Sequence, residues 1–289
     1  MSEQLKGRPV AKAIYNEVRT ALEKAATTPC LHVLMVGDDP ASQYYVGNIS
    51  KRAAKVGINV EVESLPADVS RQALLQRIEA LNADAAVHGV MVQKPLPSHI
   101  DTAIVDAAVN PAKDVDGAHP LNVGRLALDR ETLVPATAQA VLEILRHYGI
   151  HTAGRNVTIL GRSAVIGRPL ANLLLYKNEP GNATVTVCHS RTRDLAAETR
   201  RADILVAAIG RPRFVSADMV REGTVVIDVG VNQIEEGGAS VYVGDVDYTT
   251  VTIKASAITP VPGGVGTVTT ACLVRNVYYA WQRMKKIDR

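Results

Sequence analysis

Aromatic side chains are scarce in this chain of 289 residues: Phe, Trp and Tyr make up 4% of it, with one Phe and one Trp. Positive charge is not concentrated either, because 32 Lys and Arg residues are spread along the chain against 29 Asp and Glu, for a net charge of +3. Proteins that bind nucleic acids cluster their cations and often interleave them with aromatic rings. The sequence therefore argues against a nucleic-acid partner, and an acidic small molecule fits the mildly basic balance as well.

Cysteine is also rare. Cys30, Cys188 and Cys272 lie far apart and have neither a C-x-x-C spacing nor a metal-like spacing to histidine. We predict three buried thiols and no metal site.

Long apolar runs are missing too. The first residues, MSEQLKGRPVAK, hold no apolar stretch of the kind that a signal peptide needs, and no run approaches the length of a membrane span. We therefore predict a cytoplasmic protein with no membrane partner. The contents of 47% hydrophobic and 21% charged residues are ordinary for a globular chain with room for two domains.

Strands and helices alternate along the chain. Helices are predicted at 9–25, 41–56, 71–82, 138–148 and 268–284. Apolar strands are predicted between them, at 31–37, 58–65, 86–93, 156–161, 183–189, 202–210 and 224–232, with a less regular sector from 101 to 135. Such alternation predicts an α/β fold with parallel sheets covered by helices, arranged in two units.

The segment TILGRSAVIGRP, from Thr158 to Pro169, joins an apolar strand to an apolar helix through a turn that contains glycine. Gly161 ends the strand, Arg162 and Ser163 follow in the loop, and Gly167 opens the helix. Glycine lets the backbone turn tightly and approach a pyrophosphate, which the amides at a helix N-terminus then hold. Because the two glycines lie six residues apart, the match to G-x-G-x-x-G is loose. A nucleotide site and a plain structural turn both stay open.

The next predicted strand ends in His189, Ser190 and Arg191, beside this turn. In a doubly wound sheet the residues after the second strand contact the adenosine ribose, where a carboxylate favours NAD and cations or hydroxyls favour the 2′-phosphate of NADP. No acidic residue follows until Asp194, and Arg162 can reach the same place. The pattern favours NADP over NAD, with a solvated basic loop as the alternative.

Seven segments, in this order and at these spacings, resemble the FolD-type bifunctional methylenetetrahydrofolate dehydrogenase/cyclohydrolase family. They are PASQYYVGNISKRAAKVGI, VQKPLP, KDVDGAHPLNVGRL, GRSAVIGRP, IDVGVN, VGDVD and ITPVPGGVGTVT. The resemblance covers nearly the whole chain. It implies an N-terminal α/β domain that binds folate (residues 1–137 and 268–289), an NADP-binding Rossmann domain (residues 138–267), a cleft between the two, and a homodimer.

Two reactions are implied by this resemblance. The first oxidises 5,10-methylenetetrahydrofolate as hydride passes from the one-carbon bridge to the nicotinamide, and the second adds water to the resulting 5,10-methenyl cation. Hydride transfer depends mainly on holding two rings face to face. Hydration and ring opening require proton transfers, so they depend on a positioned acid or base.

Three residues match catalytic positions of the family. Tyr45, in the motif S-x-x-Y-V, matches a tyrosine whose ring packs against folate, and Gln93 matches a glutamine that hydrogen-bonds a catalytic lysine. Asp116, the second aspartate of KDVDG, matches the carboxylate that binds the amino-pyrimidine edge of the pterin. Without these motifs, Tyr45 would be an ordinary core or surface tyrosine and Asp116 a turn residue before Gly117.

Position 49 departs from the family. The catalytic lysine of the family lies four residues after the tyrosine, on the same helix face, and this chain has Ile49 there. Arg52 shares that face, but its guanidinium cannot readily act as a base. Lys94, where the family often has Leu, adjoins Gln93, but successive strand side chains point to opposite faces. Whether Arg52 or Lys94 replaces the lysine stays open at this point.

Other segments match ligand-binding parts of the family. Pro262, Gly263 and Gly264 can bring bare backbone close to folate and nicotinamide, and a structural turn is the alternative. Gly210 follows a predicted strand at the edge of the sheet where ligands bind in open α/β folds. The segment Pro135-Ala136-Thr137-Ala138-Gln139 stands where the family has Pro-Cys-Thr-Pro-x-Gly, and Thr267 replaces a proline, so several site positions have changed together.

The leading hypothesis is therefore an NADP-linked methylenetetrahydrofolate dehydrogenase whose cyclohydrolase activity is weak or lost. A full bifunctional enzyme is the first alternative, and a noncatalytic folate- or nucleotide-binding paralogue is the second. A Rossmann dehydrogenase for an unrelated substrate is disfavoured by Tyr45, Gln93 and Asp116 in their family positions.

Overall fold

The computed structural model of the chain describes residues 2–287. These residues form two compact units. The first unit consists of Lys12–Ala136 and the chain from Thr270 onward, and the second consists of the chain up to Ala11 and Thr137–Thr269.

Eleven strands occur in the described part of the chain. In chain order they are β1 (Glu3–Gln4), β2 (Cys30–Val36), β3 (Asn59–Leu65), β4 (Gly89–Val92), β5 (Asn156–Leu160), β6 (Thr184–Cys188), β7 (Ile204–Ala207), β8 (Val225–Asp228), β9 (Asn232–Glu236), β10 (Ala239–Val243) and β11 (Ala257–Ile258).

Ten α-helices accompany these strands between residues 2 and 287. They are α1 (Gly7–Leu22), α2 (Pro40–Ala54), α3 (Arg71–Ala83), α4 (Thr102–Ala108), α5 (Pro120–Ala127), α6 (Ala136–His147), α7 (Gly167–Leu174), α8 (Leu195–Arg200), α9 (Tyr248–Val251) and α10 (Val265–Ile287). A single 3₁₀ turn covers Ala217–Met219.

The first unit is built on a three-stranded parallel sheet in the order β3-β2-β4. Its central strand β2 is buried along Leu31–Met35, which explains why its sequence is apolar apart from His32, since a strand covered on both faces has no solvent-facing side. The buried His32 ring pairs with Glu63 of β3 at 2.9 Å. Leu34 packs with Leu74 and Ile78 of α3 and with Val90 of β4 in one buried cluster.

Two short helices occupy the sector 101–135, which the sequence indicated as less regular. Asp101 caps α4 by accepting a hydrogen bond from Ala103 N at 2.8 Å, and His119 Nδ1 caps α5 by accepting one from Leu121 N at 3.0 Å. Helices of seven and eight residues span about two turns, which is too short for their apolar period to stand out in a sequence.

The second unit contains a six-stranded sheet in the order β1-β11-β8-β7-β5-β6, in which every pair is parallel. The predicted boundaries counted residues 1–11 with the N-terminal domain, whereas contacts group them with this sheet. The reason is β1, whose residues Glu3 and Gln4 pair with Ala257 and Ile258. A two-residue strand paired with a segment about 250 positions away leaves no signal in a local sequence pattern.

The predicted strand 224–232 is wrong in its length. Strand β8 ends at Asp228, and Asn232 begins a separate antiparallel hairpin of β9 and β10. The Asp228 carboxylate accepts a hydrogen bond from Gly230 N at 2.9 Å, which turns the chain out of the sheet at that point. The last helix also begins earlier than predicted, at Val265.

The thiol prediction holds for two of the three cysteines. Cys188 and Cys272 are buried, but Cys30 is half-buried because it is the first residue of β2. From residue 2 to residue 287, no helix has the length and apolar character needed to cross a membrane.

Candidate functional site

The candidate site residues of the first unit begin on one face of α2. Asp39 caps this helix by accepting a hydrogen bond from Ser42 N at 2.8 Å, and Pro40 occupies the first turn, where a missing N–H costs nothing. Ser42, Tyr45 and Ile49 follow at spacings of three and four, so their side chains share a face.

Tyr45 is half-buried on this face. Burial raises the pKa of its phenol above the usual range, and the nearby carboxylate of Asp116 raises it further. The hydroxyl therefore stays protonated at neutral pH and can act as a hydrogen-bond donor next to a negative charge.

Ile49 is fully buried. Its side chain packs in the core of the first unit and supplies no amine at the position where the family has lysine. Arg52 is the cation that the sequence places on the same face. It is exposed at the helix surface, and its charge acts on the phenol of Tyr15, whose pKa burial raises to about 12.

Gln93 lies just past the end of β4, next to α2. Its Nε2 donates hydrogen bonds to the carbonyl oxygen of Lys94 at 2.6 Å and to Ser42 Oγ at 3.4 Å. The carbonyl can only accept, so the amide nitrogen must face it and Oε1 must point elsewhere. Within residues 2–287 this buried Oε1 has no hydrogen-bond partner.

Lys94 does not follow the strand alternation that the sequence predicted. Strand β4 ends at Val92 rather than at residue 93, so Lys94 belongs to the chain after the strand. Its Nζ lies 2.7 Å from Asp106 Oδ1 of α4, so the amine forms an ion pair with that carboxylate.

The segment KDVDG is anchored beside β4. Lys113 is buried and its Nζ donates to the carbonyl oxygens of Leu81 and Asp84 at 2.9 and 2.6 Å, at the end of α3. Val90 N donates to Lys113 O at 2.8 Å, and Val90 forms a parallel bridge with Asp114. Asp116 follows two residues after that bridge, so it is level with the carboxyl end of β4, which ends at Val92.

The two aspartates of KDVDG have different surroundings. The carboxylate of Asp114 accepts hydrogen bonds from Ala118 N, His119 N and Asn122 Nδ2 at 3.2, 2.8 and 2.8 Å. The carboxylate of Asp116 accepts none from the residues that the structure describes. Burial raises the pKa of Asp116 to about 7, and the charge of Asp114 adds to the increase.

In the second unit, Gly161 and Gly167 shape the turn between β5 and α7. Gly161 has φ +115°, and a Cβ there would clash with the carbonyl oxygen of Ala208 at the end of β7. A Cβ on Gly167 would clash with the carbonyl oxygen of Gly161. Both positions therefore require glycine for close backbone approach, at the point where the strand order reverses between β5 and β7.

Four exposed polar side chains border this turn. Leu160 pairs with Cys188, which brings the loops after β5 and β6 to the same edge of the sheet. The exposed residues there are Arg162, Ser163, Ser190 and Arg191. Asp194, the first acid after β6, is committed to capping α8, because its Oδ1 accepts a hydrogen bond from Ala197 N at 3.1 Å. The edge is thus basic and hydroxyl-rich, as the NADP prediction requires.

Gly210 belongs to a loop that is tied to Asp245, a residue that the sequence motifs did not single out. The Asp245 carboxylate accepts hydrogen bonds from the backbone N–H groups of Ile209, Gly210 and Arg211 at 2.6, 3.0 and 2.8 Å. It also accepts one from Asn232 Nδ2 at 2.9 Å.

Asp228 complements Asp245 from the end of β8. Its carboxylate accepts from Asp245 N and Val246 N, both at 3.0 Å, and burial raises its pKa to about 7. Gly230 and Gly244 lie against these two carboxylates, with no room for a Cβ at either position. The sequence does hold a signal for this arrangement. In IDVGVN the aspartate is followed two positions later by Gly230, and in VGDVD Gly244 directly precedes Asp245.

The loop with Pro262, Gly263 and Gly264 has structural reasons for its glycines. Gly263 has φ +104°, and Gly7 N donates to Gly263 O at 2.8 Å. A Cβ on Gly264 would lie 2.5 Å from Pro260 O. The turn alternative therefore has support in the second unit, and ligand contact by these residues stays a prediction.

Two family models match this chain. The model described as the catalytic domain of tetrahydrofolate dehydrogenase/cyclohydrolase matches residues 5–116, and the model described as its NAD(P)-binding domain matches residues 135–285. The chain belongs to the tetrahydrofolate dehydrogenase/cyclohydrolase family. The predicted family and the two-domain α/β fold with parallel sheets are thereby confirmed.

Individual members of the family are similar over nearly their whole length. A protein of Chlorobium phaeovibrioides named bifunctional protein FolD is 46% identical over 286 residues, covering 96% of this chain and 97% of the relative. The FolD dehydrogenase/cyclohydrolase structure from Campylobacter jejuni has a TM-score of 0.91 at 41% identity, covering 98% and 100%. The Trypanosoma brucei enzyme, solved with NADP and an inhibitor, has a TM-score of 0.91 at 37% identity, covering 98% of each chain.

Family membership agrees with the distribution of predicted residues. Within the first unit, Tyr45 belongs to α2, Gln93 follows β4 and approaches α2 through Ser42, and Asp116 belongs to the segment that is bridged to β4. Within the second unit, the turn after β5, the loop after β6 and the loop of Gly210 lie along the carboxyl edge of the sheet. No group of three or more His, Cys, Asp or Glu side chains in residues 2–287 could hold a metal ion.

Proposed function

We propose that this chain oxidises 5,10-methylenetetrahydrofolate with NADP as the hydride acceptor. The observation that carries the proposal is Asp116, a half-buried carboxylate that no described residue hydrogen-bonds, next to the half-buried ring of Tyr45. A carboxylate in such a place is left for a ligand to satisfy, because burying it without a partner is costly.

Folate recognition follows from these two side chains. Asp116 can accept two parallel N–H groups from the amino-pyrimidine edge of the pterin, which is a charge-assisted pairing. Tyr45 can pack its ring on the bicyclic system and donate its hydroxyl proton. Both contacts hold the one-carbon bridge in position and do not take part in bond breaking.

The basic edge of the second unit is the proposed NADP site. When bound, the cofactor supplies the hydride-accepting ring, and Arg162, Ser190 and Arg191 are proposed to bind the ribose 2′-phosphate. Gly161, Ser163, Gly167 and Gly210 are proposed to line the rest of the site with backbone and hydroxyl groups. The exposed arginines and the occupied carboxylate of Asp194 support NADP over NAD.

The second reaction of the family adds water to the methenyl carbon, breaks one carbon–nitrogen bond and releases a proton. It therefore requires a group that takes a proton from water. Ile49 is apolar, Arg52 is exposed, and the amine of Lys94 is paired with Asp106. These observations favour a cyclohydrolase activity that is weak or lost.

A full bifunctional enzyme is the second candidate, and the comparisons favour it over the reduced form. The Chlorobium phaeovibrioides relative is named as a bifunctional protein, and the Campylobacter jejuni structure is described as a bifunctional enzyme. Both are similar to this chain over almost its full length. In this case another group of the first unit, or water held by it, takes the place of the lysine amine.

One absorbance experiment separates the candidates. Purified protein is mixed with methylenetetrahydrofolate and NADP, and NADPH and methenyltetrahydrofolate are followed separately. Methenyl product that persists beyond its uncatalysed decay supports a dehydrogenase without cyclohydrolase, and its rapid loss supports the bifunctional candidate. If both ligands bind and neither signal rises with NADP or NAD, the protein is a noncatalytic paralogue.

We further propose that the protein is cytoplasmic, that it forms a homodimer, and that its small-molecule partners are one-carbon derivatives of tetrahydrofolate. The proposal of a dimer rests on the family resemblance, and sedimentation of the purified protein tests it.

A further inference from the structure

The N-terminal segment 3–7 contacts the turn 262–264 within the second unit. Gly7 opens α1, and the first N–H groups of a helix have no acceptor inside the helix. The Gly263 carbonyl supplies an acceptor from outside, because Gly7 N donates to Gly263 O at 2.8 Å. The turn that the sequence indicated as a ligand contact is therefore hydrogen-bonded to the start of this helix.

No side chain fits between Gly7 and this turn. A Cβ on Gly7 would clash with Gly264 O and would lie 3.1 Å from Cγ2 of Val268. The carbonyl of Gly264 is itself held at the start of α10, since it accepts a hydrogen bond from Thr267 N at 3.2 Å. Gly7 does not have a positive φ, so glycine is required here by the close approach of the turn and not by the backbone conformation.

Other residues of the second unit hold segment 3–7 in place. Leu5 is fully buried, and its N–H donates to Ile258 O at 2.8 Å, next to the pairing of β1 with β11. The hydroxyl of Tyr148 donates to Lys6 O at 2.9 Å. Because the tip of the turn is exposed, an added side chain at position 7 is expected to displace the turn rather than the segment.

The turn lies at the edge of the sheet where the nucleotide loops lie. Strand β11 is parallel to β8 and ends at Ile258, so the chain that follows it leaves the sheet at the carboxyl edge, as the loop of Gly210 does. Thr259 Oγ1 accepts a hydrogen bond from Asp228 N at 2.7 Å, which fixes the start of the turn beside the end of β8. Open parallel sheets bind their ligands at this edge.

We propose that Gly7 is a positioning residue for the nicotinamide half of NADP. Its N–H and its missing side chain together fix the place of the turn 262–264, whose backbone is predicted to contact the nicotinamide. The inference rests on the proposed NADP function and on that predicted contact, and it deepens both. The adenosine half of NADP is proposed to bind Arg162, Ser190 and Arg191, so it does not depend on Gly7.

The experiment compares two ligands in Gly7→Ala and in the wild type by isothermal titration calorimetry. NADP and 2′-phospho-ADP-ribose share the adenosine 2′-phosphate and the pyrophosphate, and only NADP carries nicotinamide. The Kd for NADP is expected to rise about tenfold in the variant, and the Kd for 2′-phospho-ADP-ribose is expected to change by less than about twofold. The kcat for oxidation of methylenetetrahydrofolate is expected to fall by up to about 10²-fold, because a small misplacement of a reacting ring is costly.

Gly124→Ala is the matched control for this change. Gly124 is an exposed glycine of α5 at which an added Cβ meets no atom within 4 Å. Both Kd values and the kcat are expected to stay at their wild-type values. If Gly7→Ala does not fold, Tyr148→Phe removes the hydroxyl that holds Lys6 O and loosens the same segment. It is expected to raise the Kd for NADP about two- to threefold and to leave that for 2′-phospho-ADP-ribose unchanged.

Equal increases in the two Kd values in a folded variant, or no increase in either, would overturn the proposal, because a general loss of structure affects both ligands alike. A wild-type protein that binds NADP without oxidising methylenetetrahydrofolate would refute the proposed reaction, and the two Kd values would still decide the role of Gly7. A wild-type protein that binds neither ligand would refute the NADP site and this inference with it.

Discussion

Gln93 donates from Nε2 to the carbonyl oxygen of Lys94 at 2.6 Å, and this bond leaves its Oε1 buried without a partner between residues 2 and 287. The family resemblance implies a lysine at position 49 as the natural partner of this glutamine. Ile49, fully buried on the α2 face, cannot supply a donor. Gln93 Oε1 is therefore left without the hydrogen-bond donor that a lysine at position 49 would supply.

The first prediction concerns Ile49→Lys. The new amine can donate to Gln93 Oε1, and burial lowers its pKa toward neutrality, so it can take a proton from water. Cyclohydrolase activity is expected to rise by about 10²-fold, in the usual range for a positioned base. The measurement is the rate at which purified protein removes methenyltetrahydrofolate.

The control for this change is Ile49→Met, which has a similar volume and no amine. A cost of about 1–3 kcal/mol in unfolding free energy is expected for the lysine and less for methionine. An Ile49→Lys protein that is folded but no faster than Ile49→Met would show that the lysine position is not what limits hydrolysis.

The second prediction concerns the pH dependence of stability through Asp116. Its pKa is about 7 in the folded chain, against an ordinary value near 3.8, so the folded state binds this proton more tightly than the unfolded state. The stability that the folded chain gains by holding this proton is fully present below the ordinary pKa of an aspartate, and it is lost as the pH rises through about 7. Asp116→Asn removes this loss, because the amide carries no charge at any pH.

Thermal unfolding at pH 5 and pH 8 tests this prediction in the absence of ligands. The variant is expected to be more stable than the wild type by about 1–2 kcal/mol at pH 8, after allowance for solvent screening, and to gain less at pH 5. Folate turnover should fall sharply in the same protein. Equal gains at both pH values would exclude ionisation of Asp116 as the cause.

The third prediction concerns cofactor choice. Arg162→Ala and Arg191→Ala remove exposed cations from the edge where the 2′-phosphate is proposed to bind, so the KM for NADP should rise about tenfold for each. The KM for NAD, which lacks this phosphate, should change less than about twofold. Initial rates with both cofactors provide the measurement.

Arg201→Ala serves as the matched control, because this exposed arginine directly follows α8 and pairs with Glu198 of that helix. Its KM for NADP is expected to equal that of the wild type. If the two loop variants raise the KM for both cofactors to the same degree, the arginines act on a group that NAD and NADP share.

The fourth prediction concerns Asp245. In Asp245→Asn one acceptor oxygen is replaced by a donor, so at least one N–H of the loop 209–211 loses its partner. Unfolding free energy is expected to fall by about 2–4 kcal/mol, since these bonds involve a charged acceptor. The KM for NADP should rise with it, because the same loop carries Gly210.

Denaturant unfolding checks the loss, with Asp247→Asn as the comparison. Asp247 caps the short helix α9, and asparagine is an equally good capping residue, so this change is expected to cost less than about 0.5 kcal/mol. Equal losses in the two variants would mean that the hydrogen bonds of Asp245 to the loop contribute little.

The sequence alone determined the features that are local or repeated. The apolar strands β2, β5, β7 and β8 and the capped helices α2 and α3 follow from period and turn residues, because each signal lies within about fifteen neighbouring positions. The parallel α/β class follows from their alternation. The family follows from seven ordered motifs, and Ile49 is visible as a departure within one of them.

Only the tertiary structure decided how distant residues meet. The pairing of β1 with β11, the ion pair of Lys94 with Asp106 and the contact of Asp245 with the loop 209–211 each join segments that are far apart in the chain. No local pattern encodes such pairs, because register and charge environment depend on which elements pack together. For the same reason the two aspartates of KDVDG look alike in the sequence, and only packing gives Asp114 three donors and leaves Asp116 without a donor among residues 2–287.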